Sequence, residues 1–260
     1  MKTLFQLLVL QIQFFTRIPV PFTVEWSERK FVQGIPFYPL IGAGLGAIAA
    51  LVMNWFSPLE LPVLSAIVTI TVLTVLGGGL HLDGLADTAD GFFSGRDRER
   101  TLEIMKDSRI GTNGTIALIL VFALKSGALL SLENALIPLI CASLFARISM
   151  ICAAAFSSYA RTDSGMGKYM ISHTGKKTAL FSTLVALTFA LILFSHQWKV
   201  VLIFCGVAVL GGLAMALYST KKIGGTTGDV LGAQVELMET TLLILAPILM
   251  KLFAQADLLQ

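Results

Sequence analysis

The sequence predicts an all-α fold: a polytopic integral membrane helical bundle of about seven transmembrane helices, preceded by an N-terminal amphipathic or partly embedded helix. Three observations predict it. Hydrophobic residues make up 55% of the 260 residues and charged residues only 13%, about half the ~25% typical of soluble domains. Seven apolar runs of helical length follow one another along the chain. The cations gather in alternate connections between those runs, as they do when one membrane face is cytoplasmic. Such a chain cannot cover its apolar surface with polar groups, so the bilayer is its solvent; its mean hydropathy is +0.81. Disorder, a disulfide scaffold and a collagen-like repeat are excluded on the same composition. Nucleic-acid binding has no support, because there is no dense basic stripe with interleaved aromatics. One membrane-embedded domain over 1–260 accounts for the whole chain.

Residues 1–22 are apolar but carry Gln6, Gln11, Gln13 and Arg17, and the run stops at Pro19 and Pro21. An amphipathic or partly embedded helix fits this better than a full span. A cleavable signal peptide fits poorly, since no small-residue cleavage site follows. The spans are expected at 35–56, 61–80, 115–132, 136–157, 178–196, 200–220 and 238–254. A helix of ~20 residues crosses the ~30 Å hydrocarbon layer, and ~17 can suffice. Gly42 and Gly46 form a GxxxG, and Ala208 and Gly212 repeat the spacing. Such pairs let helices approach closely, although chance in a Gly-rich chain gives them too. Cys141, Cys152 and Cys205 lie inside apolar runs and read as small buried hydrophobes.

Residues 1–34, 81–114, 158–177 and 221–237 hold 15 of the 19 Lys and Arg residues, whereas the opposite connections hold only Lys199 and Lys251. That split places the long loops in the cytoplasm and supports an odd number of spans. The acids follow the same side, so the polar chemistry collects on one membrane face. This favours an enzyme. A transporter or a non-catalytic binding protein of the membrane is the rival class, and the repeated halves common in transporters are not evident.

The densest motif is GGGLHLDGLADTADGFFSGR, residues 77–96. If the helix of 61–80 continues past the glycines, Asp83, Asp87 and Asp90 (i, i+4, i+7) project from one face. Clustered carboxylates repel unless a cation lies between them. Hard oxygen ligands suit Mg²⁺, or Mn²⁺, rather than zinc. A divalent ion would in turn hold a diphosphate. A solvated acidic loop is the plainer reading. His81 reads equally as a metal ligand, a donor to a ligand, or a structural residue at a helix end.

Cations surround this motif. Arg96, Lys106 and Arg109 lie beside Asp107, and Gly-Thr-Asn-Gly (111–114) precedes a helix whose free N–H groups can hold a phosphate. YARTDSGMGKYM (159–170) offers Arg161, Asp163, Ser164 and Lys168; KKIGGTTGDVLGAQVE (221–236) offers Lys221, Lys222, Asp229 and Glu236. Lys125 and Arg147 sit about ten residues from a span end, where a cation costs at least ~2.5–3.5 kcal/mol on insertion scales. Lys125 is expected to pair with a carboxylate. Arg147 is expected to reach an anionic substrate through a polar cavity, because few acids share its depth: Glu133 is expected near the opposite face and Glu239 near the cytoplasmic one.

These loops resemble the cobalamin synthase family, the adenosylcobinamide-GDP ribazoletransferases. The resemblance runs through QFFTRIPVP, FYPLIGAGLGA, HLDGLADTADGFFSGRDRERTLEIMKDSRIGTNG, YARTDSGMGK and KKIGGTTGDVLGAQVE, nearly the whole chain. It implies a Mg²⁺-dependent enzyme of the prokaryotic inner membrane. That enzyme joins adenosylcobinamide-GDP to α-ribazole, or to its 5′-phosphate, and releases GMP. Membrane lipid is then an obligatory neighbour, and a homo-oligomer stays open. The implied mechanism is displacement at phosphorus. Asp83, Asp87 and Asp90 would hold metal, and Asp83 or Asp107 would take the hydroxyl proton. Arg96, Lys106, Arg109, Arg147, Asp163, Lys168, Lys221, Lys222, Asp229 and Glu236 would contact substrate. Asp87-Thr-Ala-Asp90-Gly91 also matches the opening of the CDP-alcohol phosphotransferase motif. The match then fails, because Ser94-Gly95 replaces Ala-Arg and the second aspartate pair is absent.

Overall fold

The computed structural model describes residues 2–163 and 165–258. In chain order the helices are α1 (Lys2–Phe15), α2 (Glu28–Gly34), α3 (Tyr38–Phe56), α4 (Pro62–Gly77), α5 (Leu80–Phe92), α6 (Arg98–Ile104), α7 (Thr112–Leu130), α8 (Leu136–Ala155), α9 (Met166–His173), α10 (Lys176–Leu193), α11 (Trp198–Ile223) and α12 (Gly228–Leu258). Among the described residues there is no β-sheet, only an isolated parallel bridge between Tyr159 and Thr226. The chain is a polytopic helical membrane protein. Among the described residues six helices are long and apolar enough to cross a bilayer, or seven if the bent pair α4–α5 counts as one span. Each overlaps one of the seven expected runs, with different bounds. The 14-residue α1 is only about 21 Å long and falls short of the hydrocarbon layer. Large apolar side chains face outward, among them Trp55, Ile192, Leu210 and Leu217, which suits a lipid-facing surface.

The core is built around α8. All but three of its 20 residues are buried, and α3, α10, α11 and α12 pack around it. The small-residue spacings make that packing close. A Cβ on Gly42 would collide with the Ser143 carbonyl, one on Gly46 with the Leu139 carbonyl, and one on Gly212 with the Ser149 carbonyl. The GxxxG is therefore the α3–α8 seam, and Gly212 belongs to the α11–α8 seam. The three cysteines are free and buried, as expected.

Two departures from expectation shape the site. The helix of 61–80 does not run on through the glycines. Gly78 and Gly79 take φ of 62° and 69°, a left-handed conformation that glycine adopts without a Cβ penalty. α4 is capped there, and α5 leaves at 92° to it. The last helix also starts ten residues earlier than expected. Its 31 residues carry Asp229, Glu236 and Glu239 on one continuous rod, where a loop was expected up to 237.

Candidate active site

α5 crosses the start of α12 at small residues. A Cβ on Gly84 would lie 2.6 Å from the Asp229 carbonyl oxygen, and one on Gly232 would lie 3.3 Å from the His81 Cα. This contact brings Asp83 and Asp87 of α5 to Asp229 of α12. The charges of Asp83, Asp229 and Asp90 all bear on Asp87, with Arg161 the opposing cation. Asp83 is exposed; Asp87 and Asp229 are half-buried. Arg161 Nη2 donates to Asp229 Oδ2 at 2.7 Å. Thr227 Oγ1 donates to the same oxygen at 3.3 Å.

The connections that carry Arg161 and Asp229 are fastened to each other. Ala160 N donates to the Thr226 carbonyl at 2.9 Å, and Thr226 N to the Ser158 carbonyl at 2.7 Å. Arg98 joins them from α6: its Nε donates to the Ile223 carbonyl at 2.7 Å and its Nη2 to the Ala160 carbonyl at 2.9 Å. In sequence Arg98 lies in the run RDRER (96–100), where a basic residue looks like ordinary positive-inside loop charge. The tie is invisible in sequence, because its acceptors are backbone atoms more than sixty residues away.

Asp90 departs from its expected role. Its carboxylate accepts from Gly111 N at 2.7 Å and Gly114 N at 2.8 Å, so it caps α7. Those are the N–H groups expected to hold a phosphate. Asp90 is thus a helix cap, and the N–H groups of the 111–114 turn are taken by the protein's own anion. The favourable meeting of a carboxylate with a helix N-terminus explains the choice.

The remaining loop residues form surface pairs. Lys106 donates to Asp163. Arg109 forks onto Asp107 at 2.8 and 3.0 Å. Those hydrogen bonds from Arg109 hold the Asp107 carboxyl down at about 2, which makes it a weak proton acceptor. The Lys106 hydrogen bond likewise holds Asp163 below the usual carboxylate range. Arg96, Lys168 and Lys221 are exposed, and Lys222 is half-buried; none is drawn into the carboxylate cluster by a described hydrogen bond. Ser164 lies outside the described residues.

Arg147 and Glu236 are corrected more sharply. The acid missing at Arg147's depth is Glu239. Its Oε1 accepts from Arg147 Nη1 at 2.9 Å and from Ser143 Oγ at 2.5 Å, and its Oε2 from Lys125 Nζ at 2.7 Å. Lys125 also reaches Glu236 at 2.7 Å, as expected of a cation needing a carboxylate. The two cations and two carboxylates cancel, and all four side chains are nearly inaccessible. Arg147 is thus committed to a protein carboxylate, not left to seek substrate. Glu239 was misplaced because α12 was read as starting too late. Tyr38 Oη and His81 Nε2 lie 3.0 Å apart, and both side chains are buried.

Between the carboxylates and the N-terminal helices lies a cavity of about 200 Å³. Phe14, Phe15, Phe31, Met150, Met166 and Met170 line its interior, and Asp83 and Asp229 lie on its lining beside glycines.

This arrangement coincides with the motifs of a known family. The cobalamin-5-phosphate synthase (CobS) model matches residues 7–247. The chain belongs to the cobalamin-5-phosphate synthase family. A relative from Acetivibrio thermocellus, named adenosylcobinamide-GDP ribazoletransferase, is 37% identical over 240 residues, covering 92% of this chain and 96% of its own. Another of the same name, from Clostridium acetobutylicum, is 37% identical and covers 91% of this chain and 93% of its own. A third, from Caldanaerobacter subterraneus, is 33% identical over 89% of this chain and 94% of its own. No solved structure matches. Membership of this family makes the chain an enzyme of cobalamin biosynthesis embedded in a membrane.

The donors near Asp83 are oxygen atoms of the kind a hard cation takes. Among the described residues no three carboxylate, histidine or cysteine side chains converge on one point. Asp90 is occupied and Asp229 is bound to Arg161. Asp83 and Asp87 remain as a pair of oxygen donors one helical turn apart. Mg²⁺ fits that set, since it is commonly held by one or two carboxylates plus substrate phosphates, without an all-protein cage.

Proposed function

We propose that the protein is an adenosylcobinamide-GDP ribazoletransferase acting at the cytoplasmic face of the prokaryotic inner membrane. It joins adenosylcobinamide-GDP to α-ribazole or its 5′-phosphate, releases GMP, and requires Mg²⁺ or Mn²⁺. The observation that carries this reading is the gathering of Asp83, Asp87 and Asp229 beside Arg161 at one end of the bundle, within a chain whose relatives bear that name over nearly their full length.

The ribazole hydroxyl attacks the phosphorus that bears cobinamide, a new P–O bond forms, and the bond to GMP breaks. Asp83 is exposed at the site and is the candidate to accept the hydroxyl proton. Asp107, held ionised by Arg109, is the poorer choice. Asp83 and Asp87 would hold Mg²⁺, which when bound supplies positive charge to the diphosphate. Arg161 is fixed by Asp229 and points positive charge into the same region, where it stabilises developing phosphate charge. Lys106, held by Asp163, adds positive potential nearby. Arg96, Lys168, Lys221 and Lys222 remain candidate phosphate contacts from the cytoplasmic loops.

The test is product formation by purified, detergent-solubilised protein given adenosylcobinamide-GDP, α-ribazole and Mg²⁺. GMP should appear in step with the completed corrinoid, stop on EDTA treatment, and return with Mg²⁺ or Mn²⁺ but not Zn²⁺. Absence of GMP under all three metals would refute the reading.

A further inference from the structure

The cavity beside Asp83 and Asp229 has an apolar interior and a charged edge, and that contrast selects among substrate parts. Phe15, Phe31, Met150 and Met170 are each at most 5% exposed. The aromatic side is fixed by its own packing. Phe15 stacks on Tyr38 with centroids 3.8 Å apart, and Phe14 meets Phe31 edge-on at 5.0 Å. Thioethers of Met150, Met166 and Met170 supply polarizable walls on the other helices, a chemistry suited to aromatic rings.

Size and polarity decide the occupant. A dry apolar cavity of ~150 Å³ takes one benzene, so about 200 Å³ admits a small flat bicycle and excludes a corrin macrocycle. Guanine carries polar groups on every edge; His81, Asp83 and Asp229 on the lining could meet one edge only, and a polar group left unpaired against the phenylalanines and methionines costs ~1–3 kcal/mol. Ribose and phosphate meet the same objection. A benzimidazole is flat, mostly apolar and of the right size. Asp83 and Asp229 belong both to this cavity and to the carboxylate cluster, so a base seated here places its attached sugar toward the reacting groups.

Resting on the transferase reading, we propose that this cavity is the seat of the benzimidazole base of ribazole, with α1 and α2 forming its roof. The N-terminal helix thereby acquires a binding role through Phe14 and Phe15. The experiment measures initial rates against each substrate separately, for the wild type and for Met166→Trp, which fills the cavity from a partly exposed position. The KM for ribazole should rise about tenfold or more, the range by which a hydrophobic pocket discriminates misfits. The KM for adenosylcobinamide-GDP should stay put. Free 5,6-dimethylbenzimidazole should inhibit the wild type competitively against ribazole alone. An unchanged ribazole KM, or competition by the free base against the corrinoid substrate, would overturn the proposal. Equilibrium dialysis of the free base against wild type and Met166→Trp tests the cavity without turnover. Binding that is lost in the variant supports the cavity even where no GMP forms, in which case only the transferase reading fails. No binding to the wild type overturns the cavity itself. If Met166→Trp does not fold, Met170→Phe takes its place in both measurements.

Discussion

Replacing Glu239 by leucine isolates the energetics of the membrane-buried network. Glu239 accepts from Lys125, Ser143 and Arg147 at 2.7, 2.5 and 2.9 Å. Its loss leaves Lys125 with Glu236 and leaves Arg147 with the Ser143 carbonyl, at 2.9 Å, and the Tyr38 hydroxyl, neither of which carries a compensating charge. Arg147 Nε already lacks a hydrogen-bond partner. The network passes from neutral to one uncompensated positive charge. Breaking a buried pair from one side costs about 3–5 kcal/mol. Chains unfolded within a membrane also find partners, which lowers the hydrogen-bond part, so about 3 kcal/mol is expected. At about 2–4 °C per kcal/mol for a chain of this size, the unfolding midpoint should fall by about 6–12 °C. Adding Arg147→Met restores neutrality, and the double variant should recover most of the loss, as apolar replacement of a whole buried pair often does. The assay is thermal unfolding in one detergent at fixed protein concentration. A shift below about 2 °C, or a double variant no more stable than the single, would show that the charges are solvated and would refute the reasoning.

Three further outcomes are expected. Asp83→Asn and Asp87→Asn should lose most activity with little change in stability, whereas Asp90→Asn should cost about 1 kcal/mol of stability through its cap on α7; equal activity losses without any stability change in Asp90→Asn would reinstate it as a ligand. Gly84→Ala puts a Cβ 2.6 Å from the Asp229 carbonyl, and both neighbours are helix backbone, so activity should fall at least tenfold, on the order of 1.4 kcal/mol in the barrier; wild-type rates would show that the α5–α12 crossing does not set the site. Single cysteines placed in 81–114, 158–177 and 221–227 should label from the cytoplasmic side only, and labelling of 81–114 from outside would sink the proposed location of the site.

The spans were legible because each is a long apolar run, and length against bilayer thickness is a strong constraint. The α5 carboxylates were legible because three aspartates at helical spacing in an apolar stretch are unusual. What escaped was anything decided by a partner distant in sequence. Asp90 looks like its neighbours until Gly111 N and Gly114 N are seen to occupy it. Arg98 hides in a run of basic residues, yet it ties two loops together. Glu239 was lost because GGTTGDVLGAQVE reads as loop, with too few large apolar residues before Leu237. Packing against α5 and α8 makes it helix instead, since small residues there let three helices meet.

The two charged assemblies follow opposite rules, and one helix joins them. At mid-bundle the charges balance, because lipid and packed side chains cannot solvate a surplus. At the bundle's end three carboxylates, Asp83, Asp87 and Asp229, face one guanidinium, Arg161. That surplus is tolerable where water reaches, and under the proposed Mg²⁺-dependent transfer it is the charge that would hold the metal. Asp229 lies seven residues before Glu236 and ten before Glu239 on α12, about 10 and 15 Å along the axis. A rigid rod so anchored fixes the height of Asp229 against α5, and with it the gap at Gly84. Charge alone nominated Arg147 and Glu236 as substrate contacts. Arg147 pairs instead with Glu239, and Glu236 with Lys125, which locks α12 to α8 and α7 and holds that gap fixed.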